Sequence, residues 1–139
     1  MTIKRIILSF LILVSSFSAF AGAIGTWKSY LSYANIQWVE QGGNRLYVLA
    51  SDALYTYNKT DQSIQTYDKQ NGLSSIDIRF IGWNEVAKRL VIVYEDNNID
   101  LMDAKGNVTN VPDYYLKALT SDKTVYSIDM NGAYCYLST

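Results

Sequence analysis

The 139 residues carry 12 Lys and Arg against 13 Asp and Glu, and this formal charge of −1 argues against a basic surface for nucleic acid or anionic lipid. Histidine is absent and Cys135 is the single cysteine, which excludes a disulfide within the chain and zinc sites of ordinary ligand spacing. Hydrophobic residues make up 49% of the chain and aromatic residues 14%, a composition that excludes intrinsic disorder.

Residues 1–21 have the pattern of an export signal. Lys4 and Arg5 form a short basic region, residues 6–20 form an apolar stretch, and residues 19–21 (AFA) fit the small-x-small cleavage pattern. The apolar stretch is shorter than the roughly 20 residues that a helix needs to cross a bilayer. We therefore predict a cleaved signal peptide and no stable membrane span afterwards. Loss of the two basic residues changes the formal charge from −1 to −3.

The remainder, residues 22–139, repeats itself with a period of 44 residues. Leu46 and Leu90 open two matching apolar runs, and Ile64 and Val108 open two matching runs further along. Val, Ile, Thr, Tyr and Trp are frequent in these runs, as is typical of strands. A propeller blade of four antiparallel strands occupies about 40–45 residues, so the repeat predicts an all-β fold of the β-propeller type.

We predict two and a half to three blades of four antiparallel strands. The predicted strands are 36–39, 46–50, 54–57 and 63–67 in the first blade, 76–81, 90–94, 99–102 and 108–111 in the second, and 115–119, 125–128 and 133–136 in the third. The second strands are apolar at nearly every position, which indicates sheets covered on both faces by neighbouring blades. Asn131 and Gly132 are predicted to form a hairpin turn, because both tolerate positive φ.

One segment has no blade of its own. Residues 27–30 (WKSY) match the outermost-strand row at 64–67, and in a ring propeller such a strand completes the last blade. Propellers close with roughly four to eight blades. We therefore expect 22–139 to be the N-terminal part of a longer propeller that leaves one sheet face open at each end; the alternative is a complete small β-sheet protein.

Motifs that carry chemistry are few. The chain has no Gly-x-Ser-x-Gly elbow and no Gly-rich phosphate loop. Glu95, Asp96, Asp100 and Asp103 could bind Ca²⁺ through their oxygens. Because Asp96 and Asp103 fall at predicted turns, where Asp bonds the local backbone, we favour turn chemistry. We predict no catalytic, cofactor-binding or metal-binding residues.

Other candidates have a functional and a structural interpretation. Asp77 and Arg79 alternate with apolar residues and could face a central channel, where polar side chains and water are the usual content. Asn58 and Asn107 begin sequences that match the N-glycosylation pattern. Cys135 lies in an apolar run and is predicted to be a buried structural thiol. Several aromatic residues could stack on sugars, although their repeat positions favour packing between blades: Trp27, Tyr30, Tyr33, Trp38, Trp83, Tyr114 and Tyr115.

The segment 67–75 (YDKQNGLSS) resembles the two-component regulator propeller repeat. Residues 25–30 (GTWKSY), 46–51 (LYVLAS) and 98–101 (NIDL) resemble the N-terminal propeller of PorZ-type proteins. This resemblance covers nearly all of 24–139. It implies an exported, non-enzymatic propeller of the type IX secretion apparatus, in a cell-surface complex that attaches cargo to lipopolysaccharide. It carries over no functional residue, because no catalytic motif defines this part of the family.

The prediction is thus a non-catalytic, exported binding or assembly module, in the periplasm or associated with the outer membrane and cell surface. The expected partners are other cell-envelope proteins or surface polysaccharide, with no nucleic acid and no cofactor. The alternative is the periplasmic ligand-sensing propeller of a two-component regulator. An enzyme, such as a propeller hydrolase or lyase, is a more distant alternative.

Overall fold

The computed structural model describes residues 32–51 and 53–139, so the predicted signal peptide and the 27–30 segment lie outside the described residues. Within these described residues, ten strands form three antiparallel sheets in which neighbours in sequence are neighbours in space. The first sheet contains β1 (Ile36–Gly42), β2 (Arg45–Ala50), β3 (Ala53–Asn58) and β4 (Ile64–Tyr67). The second contains β5 (Ile78–Asn84), β6 (Arg89–Tyr94), β7 (Ile99–Asp103) and β8 (Val108–Asn110). The third is a hairpin of β9 (Ser127–Asn131) and β10 (Tyr134–Ser138), preceded by a short helix, α1 (Asp113–Leu116).

The first two sheets confirm the predicted blades and repeat each other in detail. Both innermost strands contain a register shift at the same place, after Ile36 in β1 and after Ile78 in β5. The turn into the outermost strand also recurs, because the amides of Asn58 and Asp103 each donate to a carbonyl four or five residues ahead. The 44-residue period in the sequence therefore corresponds to one four-stranded sheet.

The segment that resembles a propeller repeat joins the two sheets. The Asp68 carboxylate accepts hydrogen bonds from the amides of Gln70 and Asn71, and the Asp68 carbonyl accepts one from the amide of Leu73. Gly72 has a φ of +130°, a conformation that favours glycine. The turn places Leu73, only 6% exposed, in the core between the sheets. It thus carries the chain from one outermost strand to the next innermost strand.

Successive sheets pack through their innermost strands, β1 against β5 and β5 against β9. At the first junction the indole of Trp83 stacks on the ring of Tyr47, with centroids 5.2 Å apart and an interplanar angle of 16°. A Cβ on Gly42 would lie 2.5 Å from that indole, so only glycine allows this approach. At the second junction a Cβ on Gly82 would lie 2.6 Å from the Met130 methyl group. This packing of the innermost strand of one sheet against the innermost strand of the next is the arrangement of propeller blades.

The third blade differs from the prediction in three ways. Residues 115–119 do not form the predicted strand, because Asp113–Leu116 is helical. The prediction was wrong since periodicity alone cannot assign an apolar run of five residues to a helix or a strand. Because β9 packs on β5 as β5 packs on β1, Ser127–Asn131 is the innermost strand of this sheet and not its second strand. The hairpin turn consists of Gly132 and Ala133, one residue later than predicted, since Asn131 pairs with Tyr134.

The start of β5 also differs. We predicted a strand from residue 76, whereas the observed strand begins at Ile78. Asp77 has a φ of +57°, in the left-handed region, which interrupts an extended backbone. No helix in the described part of the chain is long and apolar enough to cross a membrane.

Candidate functional site

A pocket of about 290 Å³ opens between the β2–β3 turn and the segment that joins the first two sheets. Ala53, Leu73 and Ile78 are buried residues of its lining, at 2%, 6% and 3% exposure. Ligand pockets usually span roughly 300–1,000 Å³, so this volume suits one large side chain or a small molecule. The exposed residues of the lining are Lys69, Gln70, Ile76 and Asp77.

The wall of this pocket is fixed to the second sheet by hydrogen bonds from adjacent serines. The Ser74 amide donates to Oδ2 of Asp100 at 2.8 Å, and the Ser75 hydroxyl donates to Oδ2 of Asp96 at 2.6 Å. Both serines belong to the connecting segment, whereas both carboxylates belong to the second sheet and its turn. These bonds hold the connecting segment, which forms one wall of the pocket, in place on the second sheet.

Asp100 is fully buried and is the centre of a polar network. Its carboxylate accepts hydrogen bonds from the Tyr94 hydroxyl at 2.6 Å, from the Ser74 amide, and from Nδ2 of Asn110 at 2.8 Å. Burial and the neighbouring carboxylate raise the pKa of Tyr94 far above its ordinary value, so this hydroxyl remains a donor. The network holds the connecting segment, through the Ser74 amide, to the second sheet.

The four carboxylates considered as a calcium site do not come together. Glu95 forms an ion pair with Arg79 at 3.2 Å, Asp96 accepts from the Asn98 amide in its own turn, and Asp100 belongs to the network above. Asp103 accepts hydrogen bonds from the side chain and amide of Asn107 and from other amides of its turn, which lower its pKa to about 2. The favoured turn bonding of Asp96 and Asp103 is thus observed. Among the described residues, no group of three or more potential ligands is arranged to hold a metal ion.

Asp77 and Arg79 do not act as a pair. Asp77 precedes the strand and is exposed, while Arg79 lies at the register shift of β5. The guanidinium of Arg79 donates to the carbonyl of Val125 at 3.1 Å in addition to its ion pair. Arg79 therefore connects the second sheet to the segment that enters the third.

The aromatic residues divide between packing and exposed positions. Trp83 packs between blades as predicted, and Tyr33 makes an edge contact with Tyr55 in the first sheet at 5.7 Å between centroids. Trp38, 46% exposed, donates from its indole to Glu40. The Tyr114 hydroxyl donates to the Lys123 carbonyl and Tyr115 is half exposed, whereas Trp27 and Tyr30 lie outside the described residues.

The glycosylation and thiol candidates have local structural partners. The side chain of Asn58 accepts a hydrogen bond from the Thr60 amide, and the side chain of Asn107 donates to Asp103. Cys135 is half buried against the second sheet rather than fully buried. Burial, and secondarily the charge of Asp129, raise the pKa of the thiol, which keeps it protonated and weakly nucleophilic.

Comparison with known proteins identifies the family. The family described as "TSS9, PorZ, N-terminal beta-propeller domain" matches residues 46–139. This chain belongs to that family. The solved structure of PorZ from Porphyromonas gingivalis, described as an essential bacterial surface component of the type-IX secretion system, is similar at 30% identity with a TM-score of 0.75. The similarity covers 82% of this chain and 15% of that one. No curated protein matches.

The PorZ match confirms the predicted propeller fold and the predicted resemblance, and it does not favour the two-component sensor. It assigns no function to individual residues. The pocket was not predicted from the sequence. The sequence feature that lies near it is the Gly72-Leu73 turn, whose pattern resembles a propeller repeat, because this turn belongs to the segment that forms one wall of the pocket.

Proposed function

We propose that this chain is an exported, non-catalytic module of the type IX secretion machinery that binds another component of the cell envelope at the surface. The observation that supports this most strongly is the match to the PorZ N-terminal propeller, together with 30% identity to a surface component of that system. In this proposal residues 1–21 are removed on export and residues 22–139 belong to a propeller with further blades, in keeping with the 15% of the PorZ chain that is covered.

The non-catalytic part of the proposal is supported by how the perturbed groups are used. Shifted pKa values in enzymes often accompany reactive groups in a cleft. Here the pKa values of Tyr47, Tyr94 and Cys135 are raised chiefly by burial, and none of the three lines the pocket. These shifts accompany packing between sheets.

The pocket at the first junction is the proposed contact for a protein partner. Its buried lining is apolar apart from Ser75, and Ile76, 63% exposed, belongs to the same lining. An apolar side chain of the partner would fill such a cavity and desolvate the isoleucine, as anchor residues do at protein interfaces. Exposed polar groups around it, including Lys69 and Asp77, would form the rim.

The test uses deletion of the gene in the source bacterium and complementation with variants. We expect deletion to lower the amount of type IX cargo displayed on the cell surface, measured by labelling intact cells. Ile76→Asp should fail to restore display, while Ile64→Asp should restore it, because Ile64 is equally exposed (64%) but does not line the pocket. Both variants must be exported in equal amounts.

Two results would refute the proposal. Normal cargo display in the deletion strain would remove the link to type IX secretion. Turnover of peptides or glycans by the purified protein, abolished by Asp77→Ala, would show that the module is an enzyme. If the two isoleucine variants behave alike, the pocket is not the contact.

A further inference from the structure

A different pocket lies at the opposite end of the junction between the first two sheets. The β1–β2, β3–β4, β5–β6 and β7–β8 turns contribute to its lining, and its volume is about 460 Å³. In these antiparallel sheets, such turns lie at the strand ends remote from the β2–β3 turn. We call it the basic pocket, because the charged residues of its described lining are Arg45 and Lys88. We infer that the basic pocket binds a carboxylate side chain from an acidic segment of a protein partner. This inference goes beyond the proposed function and does not depend on the pocket beside the β2–β3 turn.

Arg45 brings to the basic pocket a positive charge without a partner. The residue is half-buried, and its guanidinium forms no hydrogen bond or ion pair with the part of the chain that the structure describes. Asp61 lies near enough to sense this charge, but its Oδ1 accepts from the amide and hydroxyl of Ser63 at 3.0 and 2.7 Å. Those bonds are the main reason that the pKa of Asp61 is low, and the charge of Arg45 contributes least. Because buried charges in proteins are normally paired, the guanidinium marks a site for an anion.

The other cation of the lining limits the charge of the ligand. Lys88 is exposed and forms an ion pair with Glu85 inside the β5–β6 turn, so the charge of Arg45 is the one left unpaired in the lining. A single positive charge matches a carboxylate better than a phosphate monoester, whose charge is about −1.5 to −2 at neutral pH. The planar guanidinium can also donate two parallel N–H bonds to the two oxygens of a carboxylate.

The remaining lining favours a protein side chain over a sugar. Trp83 is 8% exposed and stacks on Tyr47, so its indole has no free face on which a sugar ring could stack. The rim is held in place between two turns, because Nδ2 of Asn44 donates to the Thr60 hydroxyl at 3.2 Å and the Lys59 amide donates to the Asn44 carbonyl at 2.8 Å. An ordered rim lowers the entropic cost of binding a partner.

The second sheet offers a matched control for Arg45. Arg89 begins β6 as Arg45 begins β2, and each pairs with the last residue of the preceding strand. Arg89 is exposed and does not line the basic pocket. Replacing either arginine by glutamine removes one positive charge from the chain. A difference between the two variants therefore measures the pocket and not the net charge.

The test titrates the full chain, expressed for export, with a capped peptide of alternating serine and glutamate, followed by isothermal titration calorimetry at low ionic strength. We expect this peptide to bind at least about tenfold more tightly than the same peptide with glutamine in place of glutamate, because a charge-assisted pair contributes about this much. Arg45→Gln should weaken its binding by at least about tenfold, and Arg89→Gln by less than about twofold, since an exposed charge outside the site contributes little.

Two measurements keep this test independent of folding defects. Thermal melting followed by circular dichroism checks that both arginine variants are folded. In the unmodified chain, the glutamate peptide should shift the NMR amide signals of Gly43, Asn44 and Lys88, which line the basic pocket, and leave those of Lys69 and Gln70 beside the other pocket unchanged.

Three results would overturn the inference. Equal weakening in the two arginine variants would indicate diffuse charge attraction. Equal binding of the glutamate and glutamine peptides, or none, would exclude a carboxylate ligand from a protein. Binding of an oligomer of glucuronic acid that is lost in Arg45→Gln, without binding of the glutamate peptide, would assign the basic pocket to an acidic saccharide. The cargo-display test of the proposed function is read independently of these results.

Discussion

Replacing Trp83 by Ala should remove the main apolar contact between the first two sheets. The indole is 8% exposed, stacks on Tyr47 at 5.2 Å, and occupies the space left by the missing side chain of Gly42. Truncation of a buried Trp to Ala costs about 3–5 kcal/mol. Domains of this size have a free energy of unfolding of about 5–15 kcal/mol. We therefore expect the variant to lose a large fraction of its stability.

The assay is equilibrium unfolding in urea, followed by far-ultraviolet circular dichroism at one protein concentration. Trp38→Ala is the matched control, because Trp38 also lies in an innermost strand but is 46% exposed. We expect it to lose less than about half as much free energy as Trp83→Ala, in proportion to the smaller area removed from water. Equal losses in the two variants, or a loss below about 1 kcal/mol for Trp83→Ala, would refute the packing argument.

Three further predictions follow from other contacts. Asp100→Ala should cost about 1–3 kcal/mol in urea unfolding, because it leaves the buried Tyr94 hydroxyl without its acceptor and removes the hydrogen bonds from the Ser74 amide and Asn110; Asp61→Ala, in an exposed turn, should leave the unfolding free energy nearly unchanged. Gly82→Leu should cost about 1–3 kcal/mol and speed amide hydrogen exchange in the β9–β10 hairpin, because Ile128 and Met130 of β9 occupy that space. Asn107→Ala should raise the pKa of Asp103 from about 2 towards its ordinary 3.8, measured by NMR titration. Because folding lowers this pKa, the stabilisation from Asp103 is present above pH 3.8 and is lost as the pH falls towards 2.

The first two blades were predictable because their information is local and repeated. Leu46 and Leu90 mark equivalent buried strands, and Asn58 and Asp103 begin equivalent turns whose side chains bond the nearby backbone. Apolar runs bounded by such turn residues define strands without knowledge of distant contacts. The predicted and observed strands therefore differ by only a few residues at their ends.

The third blade was mispredicted because its placement depends on distant packing. The run beginning at Val125 resembles the second strands in composition, but the absence of a side chain on Gly82 admits β9 as an innermost strand. Residues 115–119 are apolar in part, yet Tyr115 and Leu116 are exposed on a short helix after Pro112. In both cases the tertiary context overrides local preference.

The pocket and the Asp100 network were not predictable from the sequence for a related reason. The network joins Ser74, Tyr94, Asp100 and Asn110, and only the folded sheets bring these residues within hydrogen-bonding distance. The pocket likewise combines the β2–β3 turn with the connecting segment.

The packing of successive sheets as propeller blades is tested most directly by nuclear Overhauser effects in the isotopically labelled chain. The account predicts cross-peaks between the indole protons of Trp83 and the ring protons of Tyr47, and between the indole and the α-protons of Gly42. Well-resolved spectra with strand cross-peaks inside each sheet, but none between these three residues, would contradict it.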